Sequence, residues 1–335
     1  MKHLLSIEDL DRAGIERLCD RAASFAEVAD RPIKKVPALR GRTVLNLFYE
    51  SSTRTRSSFE LAAKRLSADV VNFAASGSSV EKGESLRDTV QTLAAHRPHA
   101  IVVRTPWAGA SKLITQWTDA AIVNAGDGQH EHPTQALLDI YTLRSRLGSL
   151  DGLNVWVVGD VRHSRVARSL VLGLQTMGAK VTVAGPPTLV PAEIAVLGCE
   201  VRYTLEDLPQ ADVVYALRMQ NERMKQAYVP SIREYAAEYQ ISSRRLGARQ
   251  LLMHPGPVNR GVELAGDVVD GPQSLILDQV RAGVLVRMAV LYEVLASGGG
   301  PTAPPDGPPD GPERRRRRPH GGGRDPFNNP ELHPA

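Results

Sequence analysis

Short apolar runs rich in β-branched residues alternate with helical patterns along most of this chain of 335 residues. The runs cover residues 43–50, 69–73, 99–104 and 121–124 in the first half, and residues 153–158, 180–184, 211–217 and 250–253 in the second. Strands that alternate with helices build parallel sheets that are covered on both faces. The two sets predict an α/β fold of two doubly wound domains, each with a mainly parallel sheet flanked by helices. Because such sheets bind ligands at the carboxyl ends of their strands, we expect the active site in the cleft between the domains.

The same pattern predicts the domain boundaries. We expect a first domain of residues 1–133 that is completed by a C-terminal helix at 283–297, a second domain of residues 134–282, and a tail of residues 298–335. The tail is rich in proline, glycine and arginine, and this composition predicts disorder. At the other end of the chain, Ser6 and Asp9 have the spacing of a capping box, which predicts that the first helix begins there.

Composition and charge argue against several classes of protein. The formal net charge is +4 and no long basic face is visible outside the tail, so we expect no nucleic-acid partner. No apolar run approaches the length of a membrane span, and charged residues throughout the N-terminal segment argue against a signal peptide. Cys19 and Cys199 lie far apart and predict free buried thiols. We therefore expect a cytoplasmic protein with no membrane partner.

Hydroxyl and guanidinium groups crowd the turn between the first strand and the helix that follows it. Residues 51–56 read Ser-Ser-Thr-Arg-Thr-Arg, directly before a helical pattern. The free N–H groups and the positive dipole end of a helix N-terminus favour an anion. An ordinary serine cap with two solvated arginines is the alternative, but a cap needs one hydroxyl and no arginine. Ser52, Thr53, Arg54 and Thr55 therefore predict a phosphate site.

Two further candidates follow later strands of the first half. Arg104 closes the strand of residues 99–104, although a surface arginine at a strand end is common. Residues 130–135 read His-Glu-His-Pro-Thr-Gln, and the proline suits the first turn of a helix. Because a cation opposes the dipole there, we expect His132 to stay neutral and to donate to a carbonyl oxygen that gains negative charge. The paired histidines invite a metal interpretation, but no further ligand stands at useful spacing, so we predict no metal.

The second half supplies positive charge for an acidic substrate. Arg165, Arg218 and Gln220 follow predicted strands. Two guanidinium forks at strand ends fit the two carboxylates of a dicarboxylic acid. Pairing of either arginine with a neighbouring acid, such as Asp160 or Glu222, is the alternative.

A proline-rich turn follows the last predicted strand. Residues 254–261 read His-Pro-Gly-Pro-Val-Asn-Arg-Gly. Prolines on both sides of Gly256 stiffen the turn and leave its carbonyl groups pointing outward. Outward carbonyl groups can accept hydrogen bonds from a substrate amino group, and a purely structural turn is the alternative.

Four of these segments resemble motifs of the aspartate and ornithine carbamoyltransferases, and the resemblance covers about residues 1–297. The Ser-Thr-Arg-Thr-Arg core at 52–56 resembles the family's carbamoyl-phosphate signature, and residues 132–135 are similar to its His-Pro-x-Gln motif. Residues 218–223 resemble the Arg-x-Gln-x-Glu-Arg loop of the aspartate branch, and residues 254–257 resemble the His-Pro-x-Pro loop.

The resemblance implies a role for each candidate residue. Carbamoyl phosphate is expected to contact Ser52, Thr53, Arg54, Thr55, Arg104, His132, Gln135, Pro255, Gly256 and Pro257. L-Aspartate is expected to contact Arg165, Arg218 and Gln220, together with Ser78 and Lys82 from the neighbouring subunit of a homotrimer. The catalytic groups implied are Arg54, Thr55, Lys82, Arg104 and His132.

The implied reaction moves the carbamoyl group of carbamoyl phosphate to the α-amine of L-aspartate. Its products are N-carbamoyl-L-aspartate and phosphate, its pathway is pyrimidine biosynthesis, and it uses no cofactor. In the family the trimer often associates with other chains, so a dodecamer with regulatory or dihydroorotase-like chains stays open.

Two other functions stay open at this point. An ornithine carbamoyltransferase shares the phosphate signature, but it is expected to carry a cysteine in its His-x-x-Pro loop and a Ser-Met-Gly segment, and this chain has neither. Arg165 and Arg218 would also repel cationic ornithine. A non-catalytic anion-binding subunit predicts that a key position has been lost, and each position is present.

Overall fold

The computed structural model describes residues 1–74, 83–220 and 228–296. Four features of the sequence analysis lie outside these residues, namely Ser78, Lys82, residues 221–223 with Glu222, and the tail at 298–335. Within the described ranges, no helix combines the length and the apolar character that crossing a membrane requires.

Strands and helices alternate in the described residues, as the sequence predicts. The strands are β1 (Thr43–Phe48), β2 (Asp69–Ala74), β3 (Ala100–Thr105), β4 (Ala121–Asp127), β5 (Asn154–Val158), β6 (Lys180–Ala184), β7 (Glu200–Arg202), β8 (Val213–Ala216) and β9 (Leu251–Met253). The α-helices are α1 (Arg12–Asp30), α2 (Thr53–Arg65), α3 (Leu86–Ala94), α4 (Ala110–Ile114), α5 (Pro133–Leu147), α6 (Arg165–Thr176), α7 (Ile232–Tyr239), α8 (Gly266–Val269) and α9 (Ile276–Ala296). Short 3₁₀ helices lie at Ile7–Asp9, Pro37–Leu39, Ala192–Leu197 and Leu208–Gln210.

These strands form two parallel sheets. The strand order is β2-β1-β3-β4 in the first sheet and β7-β6-β5-β8-β9 in the second. In each sheet the chain starts in the interior, moves to one edge and then crosses back to the other, which is a doubly wound topology. The predicted α/β fold with two parallel sheets is confirmed.

The register of each sheet brings the site segments together. Phe48 lies opposite Arg104, so the turn after β1 and the end of β3 share one edge of the first sheet. Val158 lies opposite Ala216, so the segments after β5 and β8 share one edge of the second sheet. Parallel pairing therefore gathers loops that are far apart in the sequence.

Helix α9 connects the two halves of the chain. It packs on α1, α2 and α5, and α5 also packs on α6. One apolar core includes Leu137 of α5, Leu170 of α6 and Leu291 of α9. The boundary between residues 133 and 134 falls at the start of α5 and stays a prediction.

The first helix begins later than predicted. Ser6 and Asp9 do form a capping box, but the box caps a separate 3₁₀ helix. Helix α1 begins at Arg12, after Asp11, whose side chain accepts from the N–H of Gly14. The apolar spacing continues across both elements, so the pattern did not reveal the break between them.

The C-terminal helix begins earlier than predicted, at Ile276 instead of residue 283. Leu277 and Val280 are apolar but 70% and 52% exposed, so the first turns lack the pattern of a buried helix face. Helix α7 and strand β7 were also not predicted. Each buries few side chains, and in α7 the buried one is Tyr235.

Both cysteines are buried free thiols, as predicted. Burial raises the pKa of the Cys19 thiol to about 11. Because the thiolate is the reactive form, this cysteine is inert at neutral pH.

Candidate active site

A cavity of about 1340 Å³ opens where the strands end, and residues from both halves of the chain line it. The predicted site residues that the structure describes all line this cavity: Ser52, Thr53, Arg54, Thr55, Arg104, His132, Gln135, Arg165, Arg218, Gln220, Pro255, Gly256 and Pro257. The residues predicted to bind phosphate and those predicted to bind a dicarboxylate therefore line the same cavity.

The turn before α2 has the features of an anion site. Ser52 occupies the N-cap position, but its hydroxyl makes no capping hydrogen bond. The alternative of an ordinary serine cap is therefore not what the structure has. Thr55 is buried within the first turn. Backbone N–H groups, hydroxyls and the Arg54 guanidinium meet at this wall of the cavity, as in phosphate sites at helix N-termini.

Glu50 links two of the arginines. Its Oε2 accepts a hydrogen bond from Arg165 Nη2 and lies 3.4 Å from Arg104 Nε. The pairing of Arg165 with Asp160, which was one alternative from the sequence, is wrong. Asp160 instead accepts from the backbone N–H of His163 at 3.2 Å. Arg165 is thus held against a carboxylate from the first half of the chain.

Arg104 and Arg165 converge over the end of β4. Gly126 has a φ of +121° there, and a Cβ on it would lie 2.7 Å from Arg165 Nη1 and 3.4 Å from Arg104 Nη1. Burial, and next the charge of Arg165, lowers the pKa of Arg104 to about 10. Among the described residues, Arg165 Nη1 finds no hydrogen-bond partner. A bound anion can supply the hydrogen-bond acceptor and the negative charge that this pair of guanidinium groups lacks.

His132 is the N-cap residue of α5 and is 3% exposed. Its backbone N–H donates to Ser169 Oγ at 2.9 Å, which fixes the start of the helix. Burial is the largest cause that lowers the pKa of its imidazole, followed by the charges of Arg104 and Arg287. The sequence predicted a neutral ring from the helix dipole, and burial beside arginines gives the same protonation state.

The neighbours of His132 have other partners. His130 contacts Asp127 at 3.0 Å and does not line the cavity. Glu131 is buried and accepts from Ser6, from the backbone N–H of Ile7 and from Ser169. No cluster of three or more histidine, cysteine or acidic side chains suited to a metal occurs in the described part of the chain.

The proline-rich turn reaches the phosphate side of the cavity. Gly256 has a φ of +65°, and a Cβ on it would lie 3.2 Å from Arg54 Nε. A side chain at position 256 would therefore be strained and would press on the guanidinium. The backbone N–H of Gly256 donates to His254 Nδ1 at 2.8 Å, and this bond helps to hold the turn.

Arg218 and Gln220 follow the end of β8 and line the same cavity. The backbone N–H of Gln220 donates to Asp160 Oδ2 at 3.2 Å. Residues 221–223 of the predicted loop, which include Glu222, lie outside the described residues. Burial, and next the charge of Arg218, lowers the pKa of Arg54, which is consistent with their shared space. All four predicted arginines face one cavity.

Sequence reasoning missed two charged residues of the cavity. Glu50 was taken as the end of a strand, and nothing local indicates its distant partners. Arg287 of α9 is 3% exposed, donates to Ser58 Oγ at 2.8 Å and lies over the ring of Phe59. Burial lowers the pKa of Arg287 to about 10. An arginine within the apolar pattern of a buried helix was the available signal.

Two family models match the chain. The model described as the carbamoyl-P binding domain of aspartate/ornithine carbamoyltransferase matches residues 2–145, and the model described as the Asp/Orn binding domain matches residues 151–294. Together these matches cover most of the chain.

Curated relatives and solved structures agree with these matches. The chain is 59% identical to the aspartate carbamoyltransferase catalytic subunit of Salinispora arenicola, over 88% of this chain and 98% of that one. It is 54% identical to the corresponding subunit of Acidothermus cellulolyticus, over 90% of this chain and 94% of that one.

Among solved structures, the chain is similar to aspartate transcarbamoylase from Trypanosoma cruzi in complex with N-(phosphonacetyl)-L-aspartic acid, with a TM-score of 0.79, 35% identity, and coverage of 88% of this chain and 96% of that one. It is also similar to the catalytic subunit of aspartate transcarbamoylase from M. jannaschii, with a TM-score of 0.77, 35% identity, and coverage of 89% and 99%. This chain belongs to the aspartate/ornithine carbamoyltransferase family.

Proposed function

We propose that this chain transfers the carbamoyl group of carbamoyl phosphate to the α-amine of L-aspartate, giving N-carbamoyl-L-aspartate and phosphate in pyrimidine biosynthesis. One observation carries the proposal: a helix N-terminus suited to phosphate and a set of arginines suited to a dicarboxylate line one cavity. The relatives named as aspartate carbamoyltransferase catalytic subunits support it. Solved relatives from T. cruzi in complex with carbamoyl phosphate and aspartate also support it.

The reaction needs charge stabilisation and positioning. The amine nitrogen bonds to the carbonyl carbon, and negative charge collects on the carbonyl oxygen. The C–O bond to phosphate then breaks as the tetrahedral intermediate collapses, and the proton that the attacking amine loses leaves with the phosphate. Thr55, Arg104 and neutral His132 are the donors that face this charge. Fixed donors of this kind act mainly through positioning and electrostatics.

The remaining side chains hold the two substrates in place. Ser52, Thr53 and Arg54 bind the phosphate at the start of α2, and Gln135 with the turn at 255–257 binds the carbamoyl amide. On the other side, the carboxylates of L-aspartate meet a second set of donors: Arg165, Arg218 and Gln220. Glu50 already orients Arg165 through Nη2, so the Nη1 of Arg165 stays available to donate to a substrate carboxylate.

Three copies of the chain are proposed to share their active sites in the cytoplasm, with Ser78 and Lys82 of each completing the site of its neighbour. The family resemblance supports this arrangement, and a larger assembly with regulatory or dihydroorotase-like chains would build on the same trimer. Light scattering on the purified chain should give the mass of three copies. A single copy that is fully active would contradict shared sites.

The choice of amino acid tests the proposed reaction directly. With carbamoyl phosphate present, the purified protein should consume L-aspartate and release phosphate, while L-ornithine should be inert because Arg165 and Arg218 repel its ammonium group. Product analysis distinguishes N-carbamoyl-L-aspartate from citrulline. Turnover of ornithine would indicate an ornithine carbamoyltransferase instead. Turnover of neither amino acid would favour a non-catalytic anion-binding subunit.

Replacement of His132 tests the carbonyl donor. His132→Ala should lower kcat by about a hundredfold, because one preorganised donor to the oxyanion is lost. The matched control is His130→Ala, since His130 lies two residues away, contacts Asp127 and stays outside the cavity. Steady-state kinetics and circular dichroism would be measured for both variants. A normally folded His132→Ala enzyme with wild-type kcat would remove His132 from the mechanism.

A further inference from the structure

A buried carboxylate below the cavity has no part in the reaction described above. Asp139 of α5 is fully buried. Its Oδ1 accepts from Gln135 Nε2 at 3.1 Å and from Gln279 Nε2 at 2.8 Å, and its Oδ2 accepts from the Tyr215 hydroxyl at 2.8 Å. The donors come from three elements, α5, α9 and β8. Asp139 therefore joins parts of the chain that form different walls of the cavity.

The bond to Gln135 decides which end of that amide faces a ligand. In its ionised form Asp139 only accepts hydrogen bonds, so the Gln135 amide turns its nitrogen, which donates, toward Asp139 Oδ1. The amide oxygen is then the atom left for the cavity that Gln135 lines. Without Asp139, a rotation of half a turn would exchange donor and acceptor at almost no cost in shape.

The bond to Gln279 connects Asp139 to the proline-rich turn as well. Gln279 gives its nitrogen to Asp139, and its Oε1 accepts from the backbone N–H of His254 at 3.0 Å. His254 in turn accepts from the N–H of Gly256. The backbone of the turn is thus linked to Asp139 through Gln279 at His254, and Gly256 is linked to His254 by one further hydrogen bond.

Burial of this network costs free energy, because it disfavours the ionised form of Asp139. Burial raises the pKa of Asp139 to about 7, and the three donors with the charge of Arg287 act in the opposite direction. A buried carboxylate is tolerated when its oxygens accept hydrogen bonds, and both oxygens of Asp139 do. The donors on Asp139 come from residues that also line or support the cavity, which points to a role beyond packing.

We propose that Asp139 is a positioning residue that selects the NH2 group of the carbamoyl donor, because it turns the acceptor oxygens of Gln135 and of the turn at 255–257 toward that group. The proposal rests on the proposed function. Carbamoyl phosphate and acetyl phosphate have the same phosphate and carbonyl groups, and they differ in NH2 against CH3. A wall of acceptors pairs with NH2 and is left unpaired against CH3.

The test compares three ligands in the full-length protein. For wild type, Asp139→Ala and Asp139→Asn, we would measure the KM of carbamoyl phosphate and the competitive inhibition constants of acetyl phosphate and inorganic phosphate. In Asp139→Ala the preference for carbamoyl over acetyl phosphate should fall by about tenfold or more, as expected for lost hydrogen bonds. The constant for inorganic phosphate should stay within about twofold, and Asp139→Asn, which keeps one acceptor oxygen, should recover part of the preference.

A matched control lies one turn further along the same helix. Thr142 is buried, donates to the carbonyl of Leu138 and does not line the cavity, so Thr142→Ala should leave the preference unchanged. If Asp139→Ala does not fold, Gln279→Leu removes the link from Asp139 to the turn, keeps the bond between Asp139 and Gln135, and should lower the preference by a smaller factor.

Two results would overturn the proposal. A preference equal to that of wild type in the folded variants would do so, and so would an equal weakening of all three ligands, which indicates a structural role. A wild-type protein that does not use carbamoyl phosphate would instead contradict the proposed function.

Discussion

The site depends on an excess of positive charge in one cavity. Among the described residues that line the cavity are five arginines, at positions 54, 104, 165, 218 and 287, and one carboxylate, that of Glu50. Burial disfavours the charged form of a guanidinium, and it lowers the pKa of Arg104 and of Arg287 to about 10. An anion that enters the cavity relieves part of this cost. The protein without ligand is therefore poised for a phosphoryl dianion and a diacid.

The fold explains how so many like charges come together. Parallel strands end at a common edge, so the segments after β1 and β3 meet at the edge of one sheet and those after β5 and β8 at the edge of the other. Both pairs of segments line the cavity. Helix α9 returns to the helices of the first half and carries Arg287 into the cavity. Burial, and next the charges of Arg104 and Arg287, lowers the pKa of His132 and leaves a neutral donor where a carbonyl oxygen would gain charge.

Local segments of the site could be predicted from the sequence, and long-range pairs could not. Residues 52–55 and 132–135 each place several chemical groups within one turn, so their residue types alone indicate the chemistry. The bond between Arg165 and Glu50 joins positions 115 residues apart, and that between Gln279 and Asp139 joins positions 140 residues apart. Only the tertiary fold decides such pairs. The early start of α9 was missed for a local reason, because Leu277 is apolar yet exposed.

The central claim is that the phosphate and dicarboxylate sites are parts of one positively charged cavity. Calorimetric titration with N-(phosphonacetyl)-L-aspartate, which joins a phosphonate to a dicarboxylic acid, tests it most directly. The account predicts tight binding that is displaced competitively by inorganic phosphate and also by succinate. Displacement by one of these anions with no effect of the other would contradict it.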